Sequence, residues 1–296
     1  MDWDNLRFFL ELARSGTLTA TGRRMGVDHT TVARRVQTLE RQVAATLFTR
    51  EPDGHRLTEA GQSLMTSAQA MERAVQDIAR SEGLASDGLN GVVRLGATEG
   101  FGAFVLARQL SRLAYRYPGL TIDLLALPRL VHLSRREADI VISLERPKID
   151  TAVATRLTDY TLYLYGQADY LAAHPTISSL ADLQEHGFIN YVDDLLFTKE
   201  LQFLSDLLPQ PVRFVLRSTS ISAQLQAVRA GAGLAVLPAF MAAREPSLMR
   251  VLPEQARFLR TFWMSMPNEV RHQPAIQVVW NFVRAAVADM QEQLLQ

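Results

Sequence analysis

Residues 83–91 read Gly-Leu-Ala-Ser-Asp-Gly-Leu-Asn-Gly, and the hydrophobic pattern differs on the two sides of this stretch. Before it, apolar residues recur mainly at steps of three and four, the spacing of one helix face. After it, short apolar runs alternate with helical stretches, which predicts an α/β domain with largely parallel strands. Glycine with small polar residues makes a joint between such regions rather than an element of either. A chain of 296 residues, 48% of them hydrophobic, can build two cores of ordinary size.

The first region reads as three helices and a hairpin. Asp2 or Asp4 can cap a helix running to about Arg14, with Leu6, Phe9, Leu10 and Ala13 on one face, stopped by Ser15-Gly16. A short helix follows over 19–25, and Gly26 turns the chain. Asp28 then precedes a helix over 29–44, with Val32, Val36, Leu39 and Val43 on one side and Thr30, Thr31, Arg34, Arg35 and Arg41 on the other. A short helix, a tight turn and a helix with an arginine face make a helix-turn-helix. Residues 47–50 and 55–58 flank Glu51-Pro52-Asp53-Gly54, a turn in which Pro fixes φ and Gly accepts positive φ. That hairpin is a wing whose His55 and Arg56 are expected to reach phosphates or the minor groove. Net charge is zero and the only lysines are Lys148 and Lys199, so arginine carries the positive charge. Its planar fork suits phosphates and guanine edges.

The run from Leu6 through Glu40, followed by Leu47-Phe48-Thr49-Arg50 and Arg56-Leu57-Thr58-Glu59-Ala60-Gly61, resembles the N-terminal domain of the LysR family of transcriptional regulators from about residue 3 to 65. The resemblance implies base reading from the start of the third helix, by His29, Thr30, Thr31, Arg34 and Arg35, with Arg50, His55 and Arg56 of the wing as further DNA contacts. Three positions depart from the family pattern. Thr21-Gly22 stands where Ala-Ala is usual, Ala33 where Ser is usual, and Arg35 where Gln is usual. A helical Gly costs about 1 kcal/mol against Ala, so Gly22 is expected to permit a close helix contact. Arg in place of Gln shifts preference from adenine toward guanine or phosphate.

Residues 58–82 read as one long helix with an apolar stripe of Leu64, Ala68, Met71, Val75 and Ile78. The domain before it is too small to cover the stripe, so Leu64, Met71, Val75 and Ile78 are expected to pair with a second copy.

In the second half, strands are expected at 92–97, 120–127, 139–144 and 160–166, a helix at 101–117, a short helix at 130–136 and a closing helix at 274–295. Near residues 260–266 the chain is expected to return from a second lobe. This half also resembles the LysR effector domain, two lobes built like a periplasmic binding protein. The matching landmarks are Gly91–Thr98, Pro118-Gly119, Glu137–Ile142 and, most specific, Ala227–Pro238. The implied plan is a winged helix-turn-helix at 1–58, a linker helix and hinge at 59–90, and an α/β effector domain at 91–296. Its lobe I would hold about 91–161 and 267–296, and its lobe II about 162–266.

Ligands in such folds sit at the carboxyl ends of strands, against helix N-termini. The segments then facing the cleft give Thr98, Glu99, Gly100, Phe101, Leu127, Pro128, Leu144, Glu145, Tyr191, Thr219 and Ser220 as effector-binding candidates. Free N–H groups near Thr98 and Thr219 would suit an anion. Glu99 opposes that. As a helix-start charge it would stabilise its own helix; pointed into the cleft it would favour a hydroxyl or amine donor.

No pattern of a catalytic site emerges. Residues 96–102 lack both the G-x-G-x-x-G order and a GK[ST] ending, no G-x-S-x-G elbow occurs, and the six histidines lack metal-ligand spacing. The absence of cysteine removes disulfides and thiol chemistry. No catalytic residue, cofactor or metal is expected. No apolar run reaches bilayer length and the first residues do not read as a secretory signal, so a cytoplasmic protein without membrane partners is expected. Its expected partners are double-stranded DNA with a pseudo-palindromic operator, a small-molecule effector and further copies of itself, as a homodimer or homotetramer. RNA polymerase is a further candidate. The competing reading is a small-molecule binding or transport protein with an N-terminal helical extension; a third is a DNA-packaging protein without a sensor.

Overall fold

The computed structural model describes residues 2–51, 54–81, 89–128, 137–147, 152–208 and 212–296. It divides into two compact units, Met1–Ser86 and Asp87–Gln296, which are taken separately.

In the first unit, α1 (Trp3–Ser15) is capped by Asp2, α2 (Leu18–Met25) by Thr17 and α3 (His29–Val43) by Asp28. Each cap side chain accepts a backbone N–H that the first turn leaves without a partner. The three helices bury Leu6, Phe9, Leu10, Val32 and Leu39 against one another. Two departures from the family pattern have local explanations. Thr21 is fully buried, with its hydroxyl donating to the Thr17 carbonyl at 2.8 Å and lying 2.7 Å from the Ser15 hydroxyl. Gly22 lets α2 meet the start of α3: a Cβ there would lie 2.7 Å from the Val27 carbonyl oxygen. The wing is β1 (Phe48–Glu51) paired antiparallel with β2 (Gly54–Leu57). Its turn residues Pro52 and Asp53 lie outside the described residues.

The long helix is α4 (Glu59–Ser81). Part of its apolar stripe is already covered. Ala68 is fully buried, and Leu64 packs against the core of α1 and α3. The expectation that the small domain could not reach this stripe therefore fails at its N-terminal end, and Leu64 is half-buried within its own chain. Met71 stays 45% exposed. The Val75 and Ile78 side chains lie outside the described residues. Arg14 fastens α1 to α4 through a two-pronged bond to Glu72, at 3.0 and 2.5 Å.

The second unit begins with β3 (Gly91–Thr98), which runs into α5 (Glu99–Phe101), a π-helical segment Gly102–Leu106 and α6 (Ala107–Arg116). Next come β4 (Leu120–Leu127), β5 (Ile140–Ser143), the long β6 (Ala152–Gln167), α7 (Ala168–Ala173) and β7 (Gly187–Asn190). Then follow α8 (Leu204–Leu207), β8 (Arg213–Arg217), α9 (Ile221–Arg229), β9 (Ala235–Pro238), α10 (Ala239–Ala242) and β10 (Leu248–Val251). The chain ends with β11 (Arg257–Pro267), α11 (Pro274–Ala288) and α12 (Gln291–Leu295). The expected short helix at 130–136 lies outside the described residues.

The strands β6 and β11 organise this unit. They pair antiparallel from Arg257↔Tyr163 to Pro267↔Ala152, with a bulge between Phe262 and Trp263. One end of the pair carries β5, β3 and β4; the other carries β9 and β10. The β7–β8 pair joins the second group through a bridge from Phe188 to Leu234. The fold is thus α/β and two-lobed. Its main sheet is mixed rather than largely parallel, because β6 and β11 run antiparallel to each other and β9, β10 and β5 pair antiparallel with them. The closing helix is broken after Ala288, and its apolar face buries Ile276, Val279, Trp280, Val283 and Val287. Met290, beyond the break, is only half-buried.

Candidate functional site

On the first unit the candidate surface is the head of α3. Asp28 accepts the Thr30 N–H at 2.8 Å and the Thr30 hydroxyl at 2.7 Å, and these bonds hold its carboxyl below the usual carboxylate range. This rigid cap leaves His29 and Thr30 exposed and Thr31 half-exposed in the first turn, where backbone N–H groups point outward. Arg34, one turn after Thr30, lies on the same face and is exposed. Among the described residues it makes no ion pair, and its backbone carbonyl accepts the Thr38 hydroxyl.

Arg35 does not share that surface. Its guanidinium donates to Asn5 at 3.2 Å, lies 3.8 Å from the Asp2 carboxylate and sits 5.9 Å above the Phe8 ring. All three partners belong to α1 or its cap, so Arg35 is turned back into its own domain. A helix places successive side chains about 100° apart, and that rotation separates two arginines that look equivalent in sequence.

The wing makes a similar division. Register pairs Arg50 with His55 and Thr49 with Arg56. Alternation puts His55 on the same face as Phe48 and Leu57. The His55 ring meets Phe48 edge-on at 6.3 Å, and the His55 backbone N–H donates to the Gly16 carbonyl at 2.7 Å. Among the described residues, the buried His55 Nδ1 has no hydrogen-bond partner. His55 therefore packs inward instead of tipping the wing. Arg56 points outward, its side chain 77% exposed, with a loose pairing to Glu51 at 3.8 Å. Arg50 is exposed beside the turn.

On the second unit, the strand ends line a partly open cavity of about 40 Å³. Eight of the sequence candidates line it: Thr98, Glu99, Gly100, Phe101, Pro128, Leu144, Tyr191 and Thr219. Three do not. Leu127 turns to the opposite side of its strand and packs with Ala138 and Val141. Ser220 caps α9, accepting the Ala223 N–H at 3.1 Å, and Glu145 accepts the Thr198 hydroxyl.

The structure adds lining residues that no motif announced. Tyr160, Leu162, Phe240 and Phe262 come from β6, α10 and β11. Phe262 stacks between Phe101 and Tyr160, with ring centres 4.2 Å away on each side, and Phe240 meets Phe101 edge-on at 6.1 Å. Burial raises the phenols of Tyr160 and Tyr191 above the ordinary tyrosine range, and the Glu99 charge adds to the rise at Tyr191. Both rings present neutral hydroxyls. For Tyr160 the sequence indicated only a strand at 160–166, and for Phe262 only the return of the chain near 260–266; neither tells a cavity wall from a core.

Comparison with known proteins covers both units. Residues 3–62 match the profile described as a bacterial regulatory helix-turn-helix protein of the lysR family, and residues 86–288 match the LysR substrate binding domain. The HTH-type transcriptional activator TtdR of Escherichia coli K12 is 28% identical over 200 residues, covering 66% of this chain but only 61% of TtdR. The Mau operon transcriptional activator of Paracoccus denitrificans is 26% identical over 283 residues, 95% of either chain. Among solved structures, full-length CbnR complexed with its target DNA superposes with a TM-score of 0.70 at 20% identity, covering 97% of this chain and 100% of that one. At that identity the likeness speaks for the fold.

Proposed function

The chain belongs to the LysR family of transcriptional regulators, and from that premise we propose how its parts divide the work. It is a sequence-specific DNA-binding regulator modulated by a small molecule held between two lobes. The observation that carries the DNA reading is the capped, outward-facing head of α3 with an exposed Arg34 that makes no ion pair among the described residues. His29, Thr30, Thr31 and Arg34 are the base-reading set, and Arg50 and Arg56 are phosphate contacts of the wing. Arg35 and His55 serve as positioning residues, the first locking α3 onto α1 and the second packing on Phe48 across the two strands of the wing. A bidentate arginine contributes about 1–3 kcal/mol of discrimination between bases.

The domain plan follows the same division: DNA binding over 1–58, a linker helix and hinge over 59–90, and effector sensing over 91–296. Met71, Val75 and Ile78 are the pairing positions of α4 for a homodimer, and two such dimers build a homotetramer on a pseudo-palindromic operator. A second apolar surface is available on β8, where Phe214, Val215 and Leu216 are 39%, 39% and 41% exposed. RNA polymerase is a further candidate partner, whichever the sign of regulation. No helix among the described residues is long and apolar enough to cross a membrane. A DNA-binding regulator works where the chromosome is, which places it in the cytoplasm, and we assign it no catalytic step.

The cleft acts through the strands β6 and β11, which are common to both lobes. A ligand changes the regulator only so far as it binds the two lobe arrangements unequally.

The test is a gel-shift titration with DNA upstream of the protein's own gene against scrambled DNA, at two salt concentrations. Preference for the native fragment that survives higher salt supports the reading. Equal binding that salt abolishes reports phosphate attraction alone and shifts weight to a small-molecule binder.

A further inference from the structure

Glu99 opens α5, and a carboxylate at a helix start ordinarily serves that helix. Here both oxygens leave it. One accepts the Ser220 hydroxyl at 2.8 Å and the other accepts the Ile221 backbone N–H at 3.1 Å. Ser220 is the cap of α9, so the carboxylate closes the positive end of a different helix. The approach is tight. A Cβ on Gly100 would lie 3.1 Å from the Ile221 side chain and 2.8 Å from the Met241 sulfur. A second carboxylate, Glu145 just past β5, spans the same cleft to reach the Thr198 hydroxyl.

Among the described residues, the cavity beside these contacts is lined by no guanidinium, ammonium or imidazole group. Its walls are the Phe101–Phe262–Tyr160 stack, Phe240 and Tyr191, with Thr98 and Thr219 as hydroxyl partners. An anion entering it would lose its hydration, meet the Glu99 charge and find the head of α9 already filled. An uncharged ring would lose none of these and would gain stacking contacts.

We infer that Glu99 is a built-in occupant of the anion position at the head of α9, and that this cleft takes an uncharged aromatic ligand with a hydroxyl group rather than a carboxylate or phosphate. The inference rests on the reading of the cleft as the effector site. The cavity, about 40 Å³, is smaller than the roughly 150 Å³ that holds a benzene ring. Entry of the ligand therefore requires the cavity walls to move, which links occupancy to lobe arrangement.

The experiment uses the full chain and three probes: acetate, benzoate and benzyl alcohol. Glu99→Ala removes the equivalent of one acetate. Acetate is expected to raise the melting temperature of this variant saturably by a few degrees over chloride of equal ionic strength, and to leave the wild type unmoved. Equal stabilisation of both proteins overturns the built-in anion. In the wild type, benzyl alcohol is expected to bind at least tenfold more tightly than benzoate by calorimetry, a comparison that holds whether or not the variant folds. Benzoate binding as tightly, or neither ring binding, overturns the ligand class. Thr219→Trp separates the two layers. If it removes benzoate binding, the cleft reading stands and the ligand class falls. If benzyl alcohol binds Thr219→Trp unchanged, the cleft reading itself falls.

Discussion

The Glu99 carboxylate accepts the backbone N–H of Ile221, a residue 122 positions later, at 3.1 Å. The contact joins the strand end after β3 to the head of α9, so it ties the strand ends of one lobe to a helix of the other. Filling the cavity next to it should uncouple sensing from DNA binding. Thr219→Trp is expected to abolish the change in DNA affinity caused by any effector, because the indole holds the cavity in one state whether or not effector is present. Gel shifts with and without inducing metabolite measure this, and retained induction would remove this cavity from the mechanism.

Arg34 and Arg35 are adjacent, yet they should fail differently. Arg34→Ala is expected to weaken operator binding about 10- to 100-fold, the equivalent of about 1–3 kcal/mol, with little loss on scrambled DNA. Arg35→Ala is expected to lower stability by about 1 kcal/mol through the lost contacts to Asn5, Asp2 and Phe8. Competition gel shifts and thermal melts of both variants decide it; matching profiles for the two would contradict the division.

Gly22→Ala tests the close approach of α2 to α3. Intrinsic propensity alone would make Ala stabilising by about 1 kcal/mol. The new Cβ, however, would stand 2.7 Å from the Val27 carbonyl oxygen and 3.3 Å from the His29 nitrogen. Both are backbone atoms, so the start of α3 must shift. Destabilisation of about 1–3 kcal/mol is expected, with weakened operator binding. A melting temperature above wild type would show that helix propensity wins.

His186 supplies a pH dependence. Its ring is buried, with Nε2 3.1 Å from the Pro175 carbonyl and Nδ1 3.2 Å from the Tyr170 hydroxyl. Desolvation is the largest influence and lowers its pKa below the ordinary 6.5, against the raising effect of the Pro175 bond and of Glu185 and Asp182. The native state therefore binds its proton later than the unfolded chain as pH falls. Stability from this group is complete above about pH 6.5 and declines as pH drops from there toward the lowered native value. Asp28 and Asp182 have lowered pKa values too, but their contributions are lost only below the ordinary carboxylate value of 3.8. Urea melts at pH 7.5 and 5.5 should show a loss in wild type that shrinks in His186→Gln. An undiminished loss would place the pH sensitivity elsewhere.

Much of this protein was fixed by local sequence. Caps at Asp2, Thr17 and Asp28, the apolar spacing of α3 and the joint at 83–91 determine the helix-turn-helix and the division into two units, because each depends on residues a few positions apart. Eight of the eleven cleft candidates line the cavity for a related reason: strand ends that open helices are marked by short, local changes of pattern.

Tertiary structure decided the rest. The first half of β6, residues 152–159, was not expected as strand, because its extended form depends on pairing with β11, about a hundred residues on. Which of two neighbouring arginines faces outward, whether His55 tips the wing or lines it, and how far Leu64 is covered depend on what packs against each face. Glu99 shows the difference most directly. From the sequence its carboxylate could serve its own helix or enter the cleft. Its partners, Ser220 and Ile221, are set by how the strand ends and α9 come together, and no local period encodes a contact over that separation.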